Sequence, residues 1–312
     1  MTSVAIVGRG QLGTAVAEIL RAEGSHEVLG PFGRDDAQQG VTTGADVVVI
    51  ATTTRLVDVA EHVETAVSNG SNVLVSAEEA ADPWVIDPEI AERLNRLAHD
   101  RGVSICGAGV NPGLIFDSLV LTLLGTTDGN VDISVRRTVD ISRFGPSVLR
   151  RIGIGLDVDE FESGVKAGTV FGHAGFPQSM SVVAKALGVA IDCIDRRLAP
   201  IVGKRDSVLD NGMPILAGQT VGVDQTYTAI VADHPWYAAT FVGHTNLPEA
   251  GLTAVDVIEF RRDGGVEGTF TATPGIDAQQ GSRNMVANSV SRILRARPGW
   301  LSVAELPPSV PK

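Results

Sequence analysis

The residues near the start of the chain have the types and spacing of a phosphate-binding loop. They follow an apolar run typical of a strand (residues 3–7) and open a segment typical of a helix (residues 11–23). In a G-x-G-x-x-G turn the glycines allow a tight bend, a close approach to a pyrophosphate and close helix–strand packing. Free N–H groups at the helix N-terminus attract the phosphates. The pattern predicts a dinucleotide site, with chance glycines in a structural turn as the alternative. Its members are Gly8, Arg9, Gly10, Gln11, Leu12 and Gly13.

The residues after the predicted second strand indicate which dinucleotide is bound. An enzyme that prefers NAD usually ends this strand with an acid, which binds the ribose 2′-hydroxyl. Here Arg34 lies about where the 2′-phosphate of NADP would be, and Arg9 offers a second cation. The sequence therefore favours NADP. NAD is the alternative, if Arg34 is solvated and Asp35 or Asp36 holds the ribose hydroxyls.

Polar residues also follow the third, fourth and fifth predicted strands: Thr52 and Thr53, then Glu78 and Glu79, then Asn111. Because loops at the carboxyl ends of parallel strands face the ligand, we expect these side chains near the ribose and nicotinamide. A carboxylate there can exchange protons with an amine or ammonia, or stabilise an iminium cation. The structural alternatives are helix caps for the threonines and the asparagine, and an acidic pair at a helix start for the glutamates.

A second glycine-rich loop, residues 172–175, leads into a predicted helix in the later part of the chain. Its His173 can line a pocket as a donor or an acid, although a lone histidine is more often structural. The sequence predicts no metal site, because it has no H-E-x-x-H and no clustered Cys and His. Cys106 and Cys193 have no metal-ligand spacing and are predicted to be core thiols.

The elements that position these residues fall into two groups. Strands alternate with helices up to about residue 125, which predicts an α/β Rossmann domain with a parallel sheet over residues 1–125. Later segments alternate apolar and polar residues, as in half-exposed strands. Residues 126–277 are therefore predicted to form an α+β domain with an open mixed or antiparallel sheet, for substrate binding and dimerisation. A last helix, residues 278–296, is expected to pack back on the first domain.

The composition narrows the class of partner. The 312 residues include 25 Lys and Arg against 37 Asp and Glu, a formal net charge of −12. An acidic chain with no basic run argues against nucleic acid or an anionic membrane as partner. No apolar stretch reaches the roughly 20 residues that cross a bilayer, and the N-terminus has no signal-peptide pattern. The sequence predicts a soluble cytoplasmic protein.

The order and spacing of the motifs resemble the 2,4-diaminopentanoate dehydrogenases and the native amine dehydrogenases grouped with them. The resemblance implies an N-terminal Rossmann domain related to dihydrodipicolinate reductase. It also implies reversible NAD(P)-dependent oxidative deamination of an amine, or reductive amination of a small ketone or aldehyde with ammonia, with Glu78 or Glu79 as the acid/base residue. The matching motifs are the glycine loop, Glu78-Glu79 with Pro83-Trp84, Gly109–Gly113 with Asp117, Gly172-His173 with Gly175 and Gln178-Ser179, Met285–Asn288, and Arg297–Trp300.

The substrate pocket and the assembly are less constrained. An apolar pocket that includes Phe144, Phe176 and Trp236 would suit a small ketone or aldehyde. A homodimer through the C-terminal sheet is expected, since an open sheet needs its face or edge covered. The alternatives are a dihydrodipicolinate reductase-like enzyme, whose paired histidines are missing here, and a non-catalytic NADP-binding regulator. The predicted substrate contacts are Asn111, Phe144, His173, Phe176 and Gln178.

Overall fold

The computed structural model describes residues 1–311 and divides the chain into two compact units. The first unit contains residues 1–123, residues 177–186 and the chain from Ala278 onward. The second unit contains residues 124–176 and 187–277. The sequence pattern groups residues 177–186 with the second domain, but these residues belong to the first unit.

The strands, in chain order, are β1 (Thr2–Val7), β2 (His26–Phe32), β3 (Val47–Ile50), β4 (Asn72–Val75), β5 (Ser104–Gly107), β6 (Asp132–Asp140), β7 (Cys193–Val202), β8 (Ser207–Val208), β9 (Pro214–Ile215), β10 (Thr220–Val231), β11 (His234–His244), β12 (Val255–Arg262), β13 (Gly265–Ala272) and β14 (Gly299–Leu301). The helices are α1 (Gln11–Glu23), α2 (Ala37–Val41), α3 (Ala60–Ser68), α4 (Pro88–Arg101), α5 (Ser118–Leu124), α6 (Pro146–Ile152), α7 (Val158–Ala167), α8 (Phe176–Leu187) and α9 (Ala278–Ile293). Short 3₁₀ helices cover Glu78–Ala81, Pro83–Val85 and Val303–Glu305.

The first unit is a parallel sheet covered by helices on both faces. Its strand order is β14-β5-β4-β3-β1-β2, and every pairing is parallel. All four residues of β3 are buried, as expected for a strand with helices on both sides. Val48 and Ile50 belong to the core that includes α3 and α4, whereas Val47 and Val49 belong to the core that includes α1 and α9. The predicted Rossmann-like domain is therefore confirmed.

Local signals define the helices of this unit well. The N-cap of α4 is Asp87, whose carboxylate accepts a hydrogen bond from the Ile90 N–H at 2.9 Å, and Pro88 occupies the first turn. The helix ends at Gly102, which adopts the left-handed conformation with φ of 68°. Helix α9 packs on α1, although more than 250 residues separate them in the chain.

The second unit is built on a mixed sheet in the order β13-β12-β6-β11-β10-β7. Its pairings are antiparallel except for β6 with β11, which is parallel. Ile133 and Val135 are buried, while the intervening side chains are more exposed, so one face of the sheet carries the core. Strands β12 and β13 form an antiparallel hairpin. Its turn residues Asp263 and Gly264 have φ of 48° and 78°.

Two details differ from the sequence predictions. Cys106 is buried as expected, but Cys193 is exposed because it begins β7, which lies at the edge of the second sheet. The alternative interpretation of Asn111 as a helix cap is wrong, since α5 begins at Ser118. Among residues 1–311, no helix combines the length and the apolar character needed to span a bilayer.

Candidate active site

The glycine loop after β1 has two glycines that the fold requires and one that faces open space. Gly8 has φ of +131°, and a Cβ there would lie 2.2 Å from the carbonyl oxygen of Ala51. A Cβ on Gly13 would lie 2.0 Å from the carbonyl oxygen of Gly8. By contrast, no atom lies within 4 Å of a Cβ built on Gly10, which immediately precedes α1. The loop thus leaves room at a helix N-terminus and fits the pyrophosphate of a dinucleotide.

An ion pair lies beside this loop, after β2. Arg9 donates from Nε to the carbonyl oxygen of Pro31 at 3.0 Å and from Nη2 to Asp36 Oδ2 at 2.5 Å. The other oxygen of Asp36 accepts a hydrogen bond from the N–H of Gly33. Arg34 is exposed in the turn that follows the strand. The charge of Arg9 is therefore offset by Asp36, while Arg34 extends from the same turn.

The other predicted cofactor contacts differ in exposure. Gln11 and Thr52 are exposed, in the first turn of α1 and directly after β3. Leu12 is half-buried and packs against the core on the α1 side of the sheet. The Thr53 hydroxyl donates to Asp58 Oδ2 at 3.2 Å, so this side chain orders its own loop.

The two predicted acid/base residues lie on a 3₁₀ turn shortly after β4. Both Glu78 and Glu79 are half-buried. Glu79 Oε2 accepts a hydrogen bond from the backbone N–H of Leu56 at 2.7 Å, and the Glu79 N–H donates to the carbonyl oxygen of Thr54 at 3.3 Å. Glu79 thereby joins the loop after β4 to the loop after β3.

The back of this turn is fixed by close packing. A Cβ on Gly107, the last residue of β5, would lie 2.6 Å from the backbone nitrogen of Ala81. The indole N–H of Trp300 donates to the carbonyl oxygen of Ala80 at 3.1 Å. The backbone that carries Glu78 is therefore held against two neighbouring strands, β5 and β14.

The loop after β5 is organised by a buried carboxylate. Asp117 is fully buried and accepts hydrogen bonds from the Gly113 N–H at 2.8 Å, the Ser118 N–H at 2.6 Å and the Ser179 hydroxyl at 2.8 Å. Burial nevertheless raises the pKa of Asp117. Half-buried Asn111 lies within this loop and is not a helix cap, because α5 begins seven residues later.

These loops share one edge of the first sheet. Strands β5, β4, β3 and β1 are consecutive neighbours and all are parallel, so their carboxyl ends point the same way. The structure thus brings the predicted cofactor and acid/base residues of the first unit to a common edge. The loops concerned are residues 8–13, 51–55, 76–82 and 108–113.

The second unit contains an aromatic cluster around His173. The His173 N–H donates to Gln225 Oε1 at 2.8 Å, and its Nδ1 lies 2.6 Å from the carbonyl oxygen of Ala174. The imidazole centroid is 5.5 Å from that of Phe176 and 5.1 Å from that of Phe241. Gln225 is completely buried and also donates to the carbonyl oxygen of His173. Its amide fixes the shape of the glycine-rich loop.

The remaining predicted substrate residues are distributed over both units. Phe176 is fully buried in the second unit, where its centroid lies 5.0 Å from that of Tyr227. Phe144 is half-buried in a turn after β6. Trp236 is 8% exposed and belongs to β11. Gln178 is 1% exposed and belongs to the part of α8 in the first unit.

Comparisons with known proteins agree with this architecture. The profile of the 2,4-diaminopentanoate dehydrogenase C-terminal domain matches residues 114–311. A 2,4-diaminopentanoate dehydrogenase from Acetoanaerobium sticklandii is 30% identical over 331 residues, covering 97% of this chain and 93% of the relative. The chain belongs to the 2,4-diaminopentanoate dehydrogenase family. A solved amine dehydrogenase from Mycobacterium smegmatis shares the fold, with a TM-score of 0.84 at 19% identity, covering 100% of this chain and 97% of that one.

Membership of the 2,4-diaminopentanoate dehydrogenase family confirms the resemblance that the motifs indicated. The combination of a parallel and a mixed sheet is also confirmed as the fold class. Three features could not be recognised in the sequence. They are the buried Gln225, the hydrogen bond from the Trp300 indole to the turn of residues 78–81 (the acidic turn), and the ion pair of Arg9 with Asp36. Their partners are distant in sequence, so no local spacing reveals them.

Proposed function

We propose that the protein is an NAD(P)-dependent amine dehydrogenase. In the direction of synthesis, a small ketone or aldehyde, ammonia, NAD(P)H and one proton would give an amine, NAD(P)⁺ and water. The observation that carries this proposal is the juxtaposition, at one sheet edge, of an open glycine loop and a turn bearing Glu78. The names of the relatives support the same reaction class, because both are dehydrogenases of amines.

The glycine loop is proposed to hold the pyrophosphate. The N–H groups at the start of α1 point toward the open space at Gly10, and the helix dipole adds a partial positive charge there. Exposed Arg34 supports a preference for the 2′-phosphate of NADP, whereas the charge of Arg9 is offset by Asp36, and NAD remains the alternative. When bound, the nicotinamide supplies or accepts the hydride.

Glu78 is proposed as the proton carrier. One oxygen of Glu79 is occupied by the Leu56 N–H, so Glu79 is better suited to fix the turn than to exchange protons. Glu78 would take a proton from ammonium or from the adding amine, return it to the departing hydroxyl of the carbinolamine, and stabilise the iminium cation by its charge. Excluding water then protects the imine from hydrolysis.

Asn111 and His173 each stay proposed as substrate contacts. Asn111 follows β5, the strand next to the one that carries Glu78. The imidazole of His173 is braced by two aromatic rings and by the Gln225 amide, which suits a fixed donor or acceptor. The roles of Phe144, Phe176 and Gln178 stay predictions, and the buried Phe176 suits a supporting position best.

A homodimer formed through the sheet of the second unit also stays a proposal, as does the cytoplasmic location. The sheet has one face with partly exposed polar residues, among them Thr226 and Thr240, whose hydroxyls lie 3.0 Å apart. Light scattering coupled to size-exclusion chromatography should give twice the mass of 32.6 kDa. A monomer mass at micromolar concentration would contradict the dimer.

The reaction is tested by following NADPH oxidation with ammonia and a panel of small ketones, aldehydes and keto acids. The reverse reaction uses the matching amines, including 2,4-diaminopentanoate. Turnover that depends on ammonia is expected for at least one carbonyl compound. Tight NADPH binding without turnover of any panel member would instead favour a non-catalytic regulator, and ammonia-independent reduction would favour a dihydrodipicolinate reductase-like enzyme.

Substituting each of the two adjacent glutamates in turn gives a matched pair of variants. We expect Glu78→Gln to lower kcat by about 10²- to 10⁴-fold while NADPH binding is retained, the usual range for loss of a general acid/base. Glu79→Gln keeps an amide oxygen for the Leu56 N–H and should have a smaller effect. Wild-type rates in Glu78→Gln would refute the assignment, and the reverse order of effects would transfer the role to Glu79.

A further inference from the structure

A buried carboxylate lies immediately after the turn that carries Glu78. Asp82 is 3% exposed and separates the 3₁₀ helix Glu78–Ala81 from the 3₁₀ helix Pro83–Val85. Removing an ionised carboxylate from water is unfavourable unless a cation or several hydrogen bonds replace the lost hydration. The partner of Asp82 therefore determines how firmly this segment is held.

That partner is Lys185, on the part of α8 that belongs to the first unit. Its Nζ lies 2.8 Å from Oδ1 and 2.6 Å from Oδ2 of Asp82. The same ammonium lies 5.2 Å from the ring centroid of Trp84, which makes an edge contact with Trp300. Trp300 in turn donates to the carbonyl oxygen of Ala80. The Lys185 ammonium thus contacts both the Asp82 carboxylate and Trp84, whose partner Trp300 binds the backbone of the acidic turn.

The acidic turn, residues 78–81, is consequently attached at two points that follow Glu78. Glu79, the next residue, accepts a hydrogen bond from the Leu56 N–H, and Asp82 binds the ammonium of Lys185. Asp82 is only four residues after Glu78, and it directly follows the single 3₁₀ helix that Glu78 begins. A shift at Asp82 therefore moves the backbone at Glu78, and proton transfer is sensitive to displacements of about 1 Å.

We infer that Lys185 is a positioning residue for the acid/base turn, acting through Asp82 and Trp84. The inference rests on the proposed role of Glu78 as proton carrier. It assigns to α8 a role in catalysis beyond packing. An ion pair on the protein surface contributes little to stability. The pair of Lys185 with Asp82 differs, because the Asp82 carboxylate is buried and both of its oxygens accept hydrogen bonds from Lys185.

The test compares the variants Lys185→Met, Asp82→Asn and the double variant, with Lys185→Arg as the conservative replacement. The matched control is Arg93→Met, which breaks the half-exposed ion pair of Arg93 with Glu64 in the same unit. Two properties are measured on the full-length protein. Hydrogen–deuterium exchange of residues 76–86 reports the local order of the turn, and steady-state kinetics separate kcat from the KM for NADPH.

We expect faster exchange at residues 76–86 in Lys185→Met, and a fall in kcat on the order of 10- to 100-fold with the KM for NADPH within about twofold. The two single variants and the double variant should lose similar amounts of kcat, because all three remove one interaction. Lys185→Arg should restore most of the rate, since a guanidinium also pairs with a carboxylate and an aromatic ring. Arg93→Met should resemble the wild type in both measurements.

The double variant separates positioning from stability alone. If Lys185 only offsets a buried charge, the double variant removes that charge and should recover wild-type kcat, which would overturn the inference. Unchanged exchange at residues 76–86 in Lys185→Met would also overturn it. Absence of ammonia-dependent turnover in the wild-type protein would refute the proposed function, whereas the exchange measurement would still decide whether Lys185 orders the turn.

Discussion

Replacing Gly10 with alanine should separate nucleotide binding from folding. Gly10 has φ of −74° and ψ of 178°, a conformation open to any L-residue, and a Cβ there meets no atom within 4 Å. We therefore expect the stability to stay unchanged or to rise by about 0.4–1 kcal/mol, because alanine restricts the unfolded chain. The added methyl group, however, occupies the space at the N-terminus of α1 that a pyrophosphate would approach.

The expected loss follows from the hydrogen bonds that the methyl group would disturb. A hydrogen bond to a charged group contributes about 1.5–3 kcal/mol, so displacing one phosphate contact should raise the Kd for NADPH by about 10- to 150-fold. Fluorescence titration measures this Kd, and thermal denaturation without nucleotide measures stability. The contrast variant is Gly8→Ala, whose Cβ would lie 2.2 Å from the Ala51 oxygen and should prevent stable folding. An NADPH affinity within twofold of the wild type in a folded Gly10→Ala would refute the placement of the pyrophosphate.

Three further predictions concern the charged residues. Arg34→Ala should lower the affinity for NADPH more than that for NADH, measured by parallel titrations, and an unchanged ratio would contradict the NADP preference. Arg137→Met should lower the free energy of unfolding by about 3–5 kcal/mol in chemical denaturation, because the 4% exposed Asp256, 3.3 Å away, would lose its cation; a change under about 1 kcal/mol would contradict this. The raised pKa of Asp117 means that its folded form holds a proton more tightly than the unfolded form, so its contribution to stability is greatest below the unfolded pKa and decreases as pH rises through the folded value. Asp117→Asn does not titrate, so the wild type should lose stability relative to this variant as pH rises above the ordinary pKa of an aspartate; a difference that stays constant with pH would contradict the linkage.

Much of the first unit could be predicted from the sequence because its signals are local. The β-branched run of β3 and the glycines that end helices each depend on residues a few positions apart. The loop residues at the strand ends could be grouped for the same reason, since parallel strands share one edge. The grouping of Glu78 with Asn111 therefore required only the strand order β5-β4.

The distinction between Glu78 and Glu79 could not be predicted in this way. Both residues are acidic, adjacent and at the same strand end, and the Leu56 amide that binds Glu79 lies 23 residues earlier in the chain. The pairing of Lys185 with Asp82 spans 103 residues, and the periodicity of α8 says nothing about which unit it joins. Such contacts follow from tertiary packing, which one sequence does not specify residue by residue.

The charges beside the glycine loop predict that the choice between NADP and NAD depends mainly on Arg34. Arg9 is paired with Asp36, so these two charges cancel, and Asp36 also accepts the Gly33 N–H. The carboxylate therefore has less capacity left to receive ribose hydroxyls, which weakens the usual basis for NAD selectivity. Exposed Arg34 is then the group that can attract a 2′-phosphate. The neighbouring carboxylate of Asp35 opposes this attraction, but it is also exposed, so dissolved salt screens part of its charge. Discrimination between the two nucleotides should accordingly be modest in the wild type and should disappear when Arg34 is removed.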